Sequence, residues 1–172
     1  IDLHQQPTKM VLITKLLTLA LTAAATPIFR RDAVTVQDDI NQNIAPAITT
    51  LGNDVAAFPA NGLTGTVAIH TDFENLISVV NSATADINIS ESFDEDSGTT
   101  IISDVQAGTE YLEGILDAVK DQESTWSDFP GGTNLVLGDL QALNTAFDDF
   151  LDALTRKDPS SSGQIDFIKD SL

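Results

Sequence analysis

The strongest constraint on the fold is a row of apolar residues that recur every three or four positions from Val36 onward. On a helix of about 3.6 residues per turn, this spacing places the apolar side chains on one face. It predicts a helix over residues 32–58. Pro46 lies inside it and favours a kink or a break, because proline lacks an N–H and its ring clashes with the preceding turn. The row contains Val36, Ile40, Ile44, Ile48, Leu51, Val55 and Phe58.

The same periodicity returns later in the chain, with Val67 at the start of the second row, and no segment shows the strict alternation of a half-buried strand. Short connections between successive helices favour antiparallel neighbours. The pattern therefore predicts an all-α, antiparallel up-and-down bundle of four long helices and a short fifth, which stops after two turns as a truncated helix would. The further helices are predicted over residues 63–89, 100–124, 133–157 and 164–172.

Residues 90–99 are acidic and predict a loop, with Ser97 or Thr99 as a candidate cap for the helix that follows. We compared this segment with a calcium-binding EF-hand loop that begins at Asp94. Such a loop needs a glycine at its sixth position and a glutamate at its twelfth, where this chain has Val105. The match fails, and we expect no metal site here.

The first 31 residues have the organisation of a secretory precursor. Residues 10–25 contain one lysine, then an apolar run, then small residues, which is typical of a signal peptide and too short for a comfortable membrane span. A propeptide over residues 26–31 would end at the dibasic pair Arg30-Arg31. We expect residues 1–9 to be a leader and residues 32–172 to be the folded, secreted domain. A buried N-terminal helix and a basic pair without a role are the alternatives.

Composition excludes several functions. Only 8 basic residues stand against 26 acidic ones, giving a formal charge of −18, so no basic groove for nucleic acid can form. The absence of cysteine excludes disulfides, iron–sulfur clusters and thiolate zinc sites. Sequence motifs for nucleotides or catalytic metals are also missing. We expect no cofactor and no transmembrane segment.

The domain has one histidine, His70, and it predicts no catalytic role. Asp72 lies two positions away, but residues two apart on a helix point to different faces, so the pair cannot form part of a triad. We expect a surface histidine and a protein that is not an enzyme. Asn88-Ile-Ser90 is an N-glycosylation sequon near a predicted helix end, which makes Asn88 a candidate acceptor.

The apolar rows can line a cavity as well as a core. Small residues (Ala83, Gly108, Gly114 and Gly138) stand among bulky ones, and this mixture indicates either space between helices or close helix contact. If there is space, the residues that line it come from the inner faces of the second, third and fourth helices. The candidates for binding an apolar ligand are Phe73, Leu76, Val80, Leu112, Leu116, Val119, Leu143, Phe147 and Leu151.

Several segments carry a resemblance to a known family. They are Asp32-Ala-Val-Thr-Val-Gln-Asp-Asp-Ile40, Leu51-Gly-Asn-Asp-Val55, Phe58-Pro-Ala60 and Leu140-Gln-Ala-Leu-Asn-Thr-Ala-Phe147, after a signal peptide and a dibasic junction. The chain from residue 32 onward resembles the fungal hydrophobic surface binding protein A family, which includes the antigenic cell-wall galactomannoproteins.

The resemblance implies a five-helix bundle, secretion into the medium or cell wall, and no catalytic activity. It implies binding of long-chain fatty acids or other lipids, or adsorption to hydrophobic surfaces with recruitment of secreted hydrolases. The alternative function is a structural, glycosylated mannoprotein scaffold of the cell wall.

Overall fold

The computed structural model describes residues 32–172, and these residues form a bundle of helices. The predicted signal peptide, the propeptide and Arg30-Arg31 lie outside the described residues. In chain order the helices are α1 (Ala33–Asp38), a π-helical segment (Asp39–Ile44), α2 (Ala45–Ala57), α3 (Gly62–Ile89), α4 (Glu95–Asp121), α5 (Glu123–Trp126), α6 (Gly132–Lys157), a 3-10 turn (Pro159–Ser161) and α7 (Ser162–Ser171).

The first three elements are continuous and together form the N-terminal helix, residues 33–57. Asp32 caps its start, since its carboxylate accepts the Thr35 N–H at 3.0 Å. The expected break at Pro46 is wrong. The chain stays helical there, and the Ala45 N–H donates to the Ile40 carbonyl five residues back. This wider turn immediately precedes Pro46, which has no backbone N–H to donate and whose ring would clash with the preceding turn of a regular α-helix.

Helix α4 begins earlier than predicted, at Glu95 rather than at residue 100. The cap is Asp94, whose carboxylate accepts the Ser97 N–H at 2.9 Å, and neither Ser97 nor Thr99 has this role. The hydrogen bonds from Ser97 also lower the pKa of Asp94. Glu95 follows in the first turn, where the helix dipole favours negative charge. Residues 95–99, half of the segment that was predicted as an acidic loop, therefore belong to the beginning of α4.

The remaining helices lie close to their predicted positions, and the all-α prediction is confirmed. The prediction that Val67 lies on the inner face of its helix is wrong, because this residue is 54% exposed. The buried face of α3 passes instead through Thr66, Ile69 and Phe73. Among residues 32–172, no helix is both long enough and apolar enough to span a bilayer.

The order of the helices around the bundle differs from their order in the chain. The N-terminal helix packs against both α3 and α4, and α3 packs most extensively against α6. The N-terminal helix and α4 run parallel, since Asn41 bonds Asp104 at one level and Gly52 lies beside Ile115 at another. Successive long helices alternate in direction, as predicted, yet neighbours in space need not be antiparallel.

Helices α3 and α6 also run parallel. His70 pairs with Asp139 at one level, and Arg156 donates to Asn88 at 3.0 Å further along both helices. Helices α4 and α6, in contrast, hardly approach each other, and the short α7 contacts both of them. The side chains of Ile165 and Ile168 on α7 are buried in the core at this position. The bundle is therefore closed on three sides, and on the fourth side α7 holds α4 and α6 apart.

Candidate functional site

A cavity of about 790 Å³ lies between α4 and α6. Its walls come from the C-terminal half of α4 and the N-terminal half of α6, with α5 at one end and Leu172 at the other. This volume falls within the range of roughly 300–1,000 Å³ that is usual for small-molecule sites. The lining residues are Leu112, Leu116, Asp117, Val119, Lys120, Glu123, Trp126, Thr133, Val136, Leu137, Leu140, Gln141, Leu143, Asn144, Thr145, Phe147 and Leu172.

Five of the nine predicted ligand contacts lie together in this cavity wall. They are Leu112, Leu116, Val119, Leu143 and Phe147. The other four are almost completely buried in the packed core and line neither of the two cavities described here. These four are Phe73, Leu76, Val80 and Leu151.

Sequence reasoning missed Trp126, Leu137 and Leu172 in this wall. Trp126 belongs to the short α5, in a segment that carries no apolar row. Its ring stacks on Phe58 at a centroid distance of 4.0 Å, and its indole N–H donates to the Val119 carbonyl at 2.9 Å. The clue in the sequence was that this residue is the only tryptophan of the chain. The stacked, hydrogen-bonded ring gives the cavity a fixed end wall.

The rim of the cavity is polar. Lys120 is the only basic residue among those that line it, and it stands with the acidic residues Asp117 and Glu123. Within residues 32–172, Lys120 forms no ion pair. It is exposed at the end of α4, so its ammonium group is available to an anionic group at the cavity mouth. The arrangement suits a ligand with a long apolar part and a small polar end.

A second cavity, of about 260 Å³, lies between the N-terminal helix and the first half of α4. Its walls include Ile44, Ile48 and Gly108, and its inner end is formed by Phe147 and Phe150 of α6. The two phenyl rings meet edge to face at a centroid distance of 6.3 Å. Phe147 therefore borders both cavities.

The small residues contribute less space than predicted. Gly108 lines the second cavity, where a Cβ would meet only the tip of Ile48, at 3.8 Å. Gly114 and Gly138 are exposed and an added Cβ would meet nothing within 4 Å, so neither alternative, cavity space or close helix contact, applies to them. The space between α4 and α6 comes from the separation of the helices rather than from glycine.

His70 is half-buried, which corrects the expectation of a surface histidine. Its Nδ1 lies 2.9 Å from a carboxylate oxygen of Asp139, on α6, and Nε2 lies 3.6 Å from Glu74. Burial raises the pKa of Asp139, while the hydrogen bond from His70 opposes that rise. Asp72 is not the partner. This pair joins α3 to α6 and lines neither of the two cavities.

No group of three or more metal-ligating side chains is close enough to hold an ion anywhere in residues 32–172. The candidate glycosylation site, Asn88, is exposed in the last turn of α3, and its side-chain oxygen accepts a hydrogen bond from Arg156.

Two solved structures are similar to this bundle. One is AfMP4p in complex with palmitic acid, with a TM-score of 0.74, 22% identity, and coverage of 81% of this chain and 91% of the other. The second is ligand binding domain 1 of the Penicillium marneffei MP1 protein complexed with arachidonic acids, with a TM-score of 0.70, 17% identity, and coverage of 81% and 90%. These likenesses establish the fold.

Comparison with curated proteins gave no significant match. The family model of hydrophobic surface binding protein A, however, matches residues 33–156, from the start of the N-terminal helix almost to the end of α6. Because this match covers well over half of the chain, the protein belongs to the hydrophobic surface binding protein A family.

Proposed function

We propose that this protein binds a long-chain fatty acid, or a lipid with one such chain, in the cavity between α4 and α6, and that it carries out no catalytic step there. The observation that carries the proposal is the cavity itself, whose inner wall is formed by leucine, valine, phenylalanine and tryptophan side chains. An acyl chain is the ligand class that such a wall recognises, because burial of apolar surface needs no directional partner.

Burial of methylene groups supplies enough free energy for binding. Each buried methylene contributes about 0.8 kcal/mol, so the chain of palmitic acid contributes about 11 kcal/mol when fully covered. Association costs at least about 4 kcal/mol in lost translation and rotation. The difference corresponds to affinity in the micromolar range. The acyl chain, rather than the polar end, therefore determines the affinity.

The carboxylate of the ligand lies at the polar rim in this proposal, near Lys120. The attraction is small because Lys120 is exposed to water and flanked by Asp117 and Glu123. A formal charge of −18 also repels an anionic ligand at long range. An uncharged lipid with the same chain should therefore bind at least as well as the fatty acid.

Palmitic and arachidonic acids occupy the two similar structures, and this occupancy supports a fatty acid as the ligand class. Family membership supports binding to apolar matter more generally, so adsorption to hydrophobic surfaces and contact with secreted hydrolases remain proposals beside the internal site. Secretion to the medium or cell wall rests on the predicted signal peptide over residues 10–25 and on cleavage after Arg31.

Native mass spectrometry of the protein secreted by a fungal host tests this proposal. Added palmitic acid should give a saturable complex, and Leu140→Asp should abolish it, because a carboxylate in the cavity wall cannot be buried against an acyl chain. Leu63→Asp is the matched control, since Leu63 is 61% exposed and lines neither cavity. Equal uptake by both variants, or no uptake by the native protein, would contradict an internal site. The same mass reports the N-terminus and any sugar on Asn88.

A further inference from the structure

Phe147 forms part of the wall of both cavities. Its side chain is only 5% exposed, and Phe150 packs against its ring. On the opposite side, Leu112 of α4 lines the first cavity, while Gly108, one turn earlier, lines the second. The two cavities thus meet behind one turn of α4, and the Phe147 ring stands between them.

We propose that Phe147 is the specificity-determining residue that sets the length limit for a bound acyl chain, by separating the cavity between α4 and α6 from the cavity beside the N-terminal helix. This inference rests on the proposed function. A chain that fills the first cavity ends against the Phe147 ring. The methylenes of a longer chain stay in water, because the Phe147 ring lies between the first cavity and the second.

The second cavity is suited to the far end of an acyl chain. Ile40, Ile44 and Ile48 form one apolar wall, and Phe150 forms the inner end. Its volume of about 260 Å³ is about a third of the 790 Å³ of the first cavity, so a joined cavity would hold several more methylenes. Each methylene that moves from water into this space should tighten binding about fourfold, the equivalent of about 0.8 kcal/mol.

The test is a series of saturated fatty acids (lauric, palmitic and behenic) titrated into the native protein and its variants. In the native protein, affinity should rise from lauric to palmitic acid and then level off. Phe147→Ala should let it rise further, so that behenic acid gains at least about tenfold over palmitic acid. Because the alanine variant removes a buried ring, Phe147→Leu is a milder second variant, for which a smaller gain in the same direction is expected.

Gly108 provides a matched control on the same helix. A leucine at position 108 should fill the second cavity, since its Cβ has space there and meets only Ile48. Gly108→Leu combined with Phe147→Ala should remove the gain for behenic acid and leave palmitic acid binding intact. Gly114→Leu in the same background should keep the gain, because Gly114 is exposed and nothing lies within 4 Å of its added Cβ.

The outcomes separate this inference from the function on which it rests. If the native protein binds none of the acids, the proposed function fails and this inference fails with it. If the native protein binds palmitic acid but both Phe147 variants keep its chain-length profile, only the inference is overturned. The same holds if Gly108→Leu leaves the gain of Phe147→Ala in place.

Discussion

Helix α6 faces α3 on one side and α4 on another, and the two sides differ. Against α3 it is packed along its length and joined by polar contacts, from the His70–Asp139 pair to the Asn88–Arg156 hydrogen bond. Toward α4 it has no such partner, and Leu137 is 52% exposed beside the cavity. The comparison shows that one amphipathic helix can supply both packed core and the wall of a cavity, because its apolar face is wider than one neighbour covers.

The largest difference between the two sides should appear in stability. Phe73 is fully buried on α3, and Phe73→Ala should lower the free energy of unfolding by about 3–5 kcal/mol, since a large cavity is left in packed surroundings. Leu140 is half-buried in the cavity wall, and Leu140→Ala should lower the free energy of unfolding by less than about 1.5 kcal/mol, because its surroundings are already open. Urea unfolding at neutral pH measures both values. Equal losses would mean that the space between α4 and α6 is not open in solution.

A substitution that fills the cavity should weaken ligand binding and have little effect on stability. Val136→Phe adds a ring to the wall between α4 and α6, where there is space for it. We expect the free energy of unfolding to change by no more than about 1 kcal/mol, and palmitic acid affinity to fall by at least about tenfold, since the ring occupies the volume of several methylenes. Isothermal titration alongside urea unfolding measures both effects. Unchanged affinity would place the ligand elsewhere.

A pH effect should arise where α3 packs against the N-terminal helix. Burial raises the pKa of Asp72, on α3, from 3.8 to about 6, and the nearby carboxylate of Asp54 adds to the rise. Folding thus favours protonated Asp72, so its stabilising contribution is complete below about pH 4 and is lost as the pH rises through about 6. Asp72→Asn stays neutral and should raise the melting temperature at pH 7 but have little effect at pH 4.

The control for that pH effect is Asp166→Asn, which removes one negative charge from an exposed position on α7. The difference between the two variants isolates Asp72 from the general effect of reducing a charge of −18. Thermal melts from pH 4 to pH 8 give this difference. If both variants shift the melting temperature equally at every pH, the Asp54–Asp72 contact has no role.

The smallest effect concerns the polar rim. Lys120→Ala should weaken palmitic acid binding only a few-fold, because an exposed ion pair contributes less than about 1 kcal/mol. The same change should leave binding of the corresponding fatty alcohol unaltered, since that ligand has no charge. Titrating both ligands at low and moderate salt measures the effect. A loss of a hundredfold or more would mean that the carboxylate, and not the chain, determines affinity.

The helices were largely predictable because the three-to-four spacing depends only on which residues each helix buries. The π-helical segment before Pro46 and the cap at Asp94 were missed, since both depend on local hydrogen bonds that compete with the simpler pattern. Sequence periodicity likewise marks Phe73 and Leu112 as the same kind of inner residue. Only the order of the helices around the bundle places one in solid core and the other in a cavity wall.

That order could not be derived from short connections, which predict that successive helices pack together. In the folded chain α3 packs against α6 rather than beside α4, and α7 enters between α4 and α6. Ile165 and Ile168 therefore decide where the cavity lies, although their spacing indicates no more than another short helix.

The central claim is that an acyl chain lies between α4 and α6, and Trp126 offers the most direct test. It is the only tryptophan of the chain and lines this cavity, so its fluorescence reports contact there alone. Bromine quenches tryptophan emission only at close range, so palmitic acid brominated along its chain should quench Trp126 saturably, and unbrominated palmitic acid should reverse the quenching. Binding of the brominated acid, established separately by mass spectrometry, without any quenching would contradict the account.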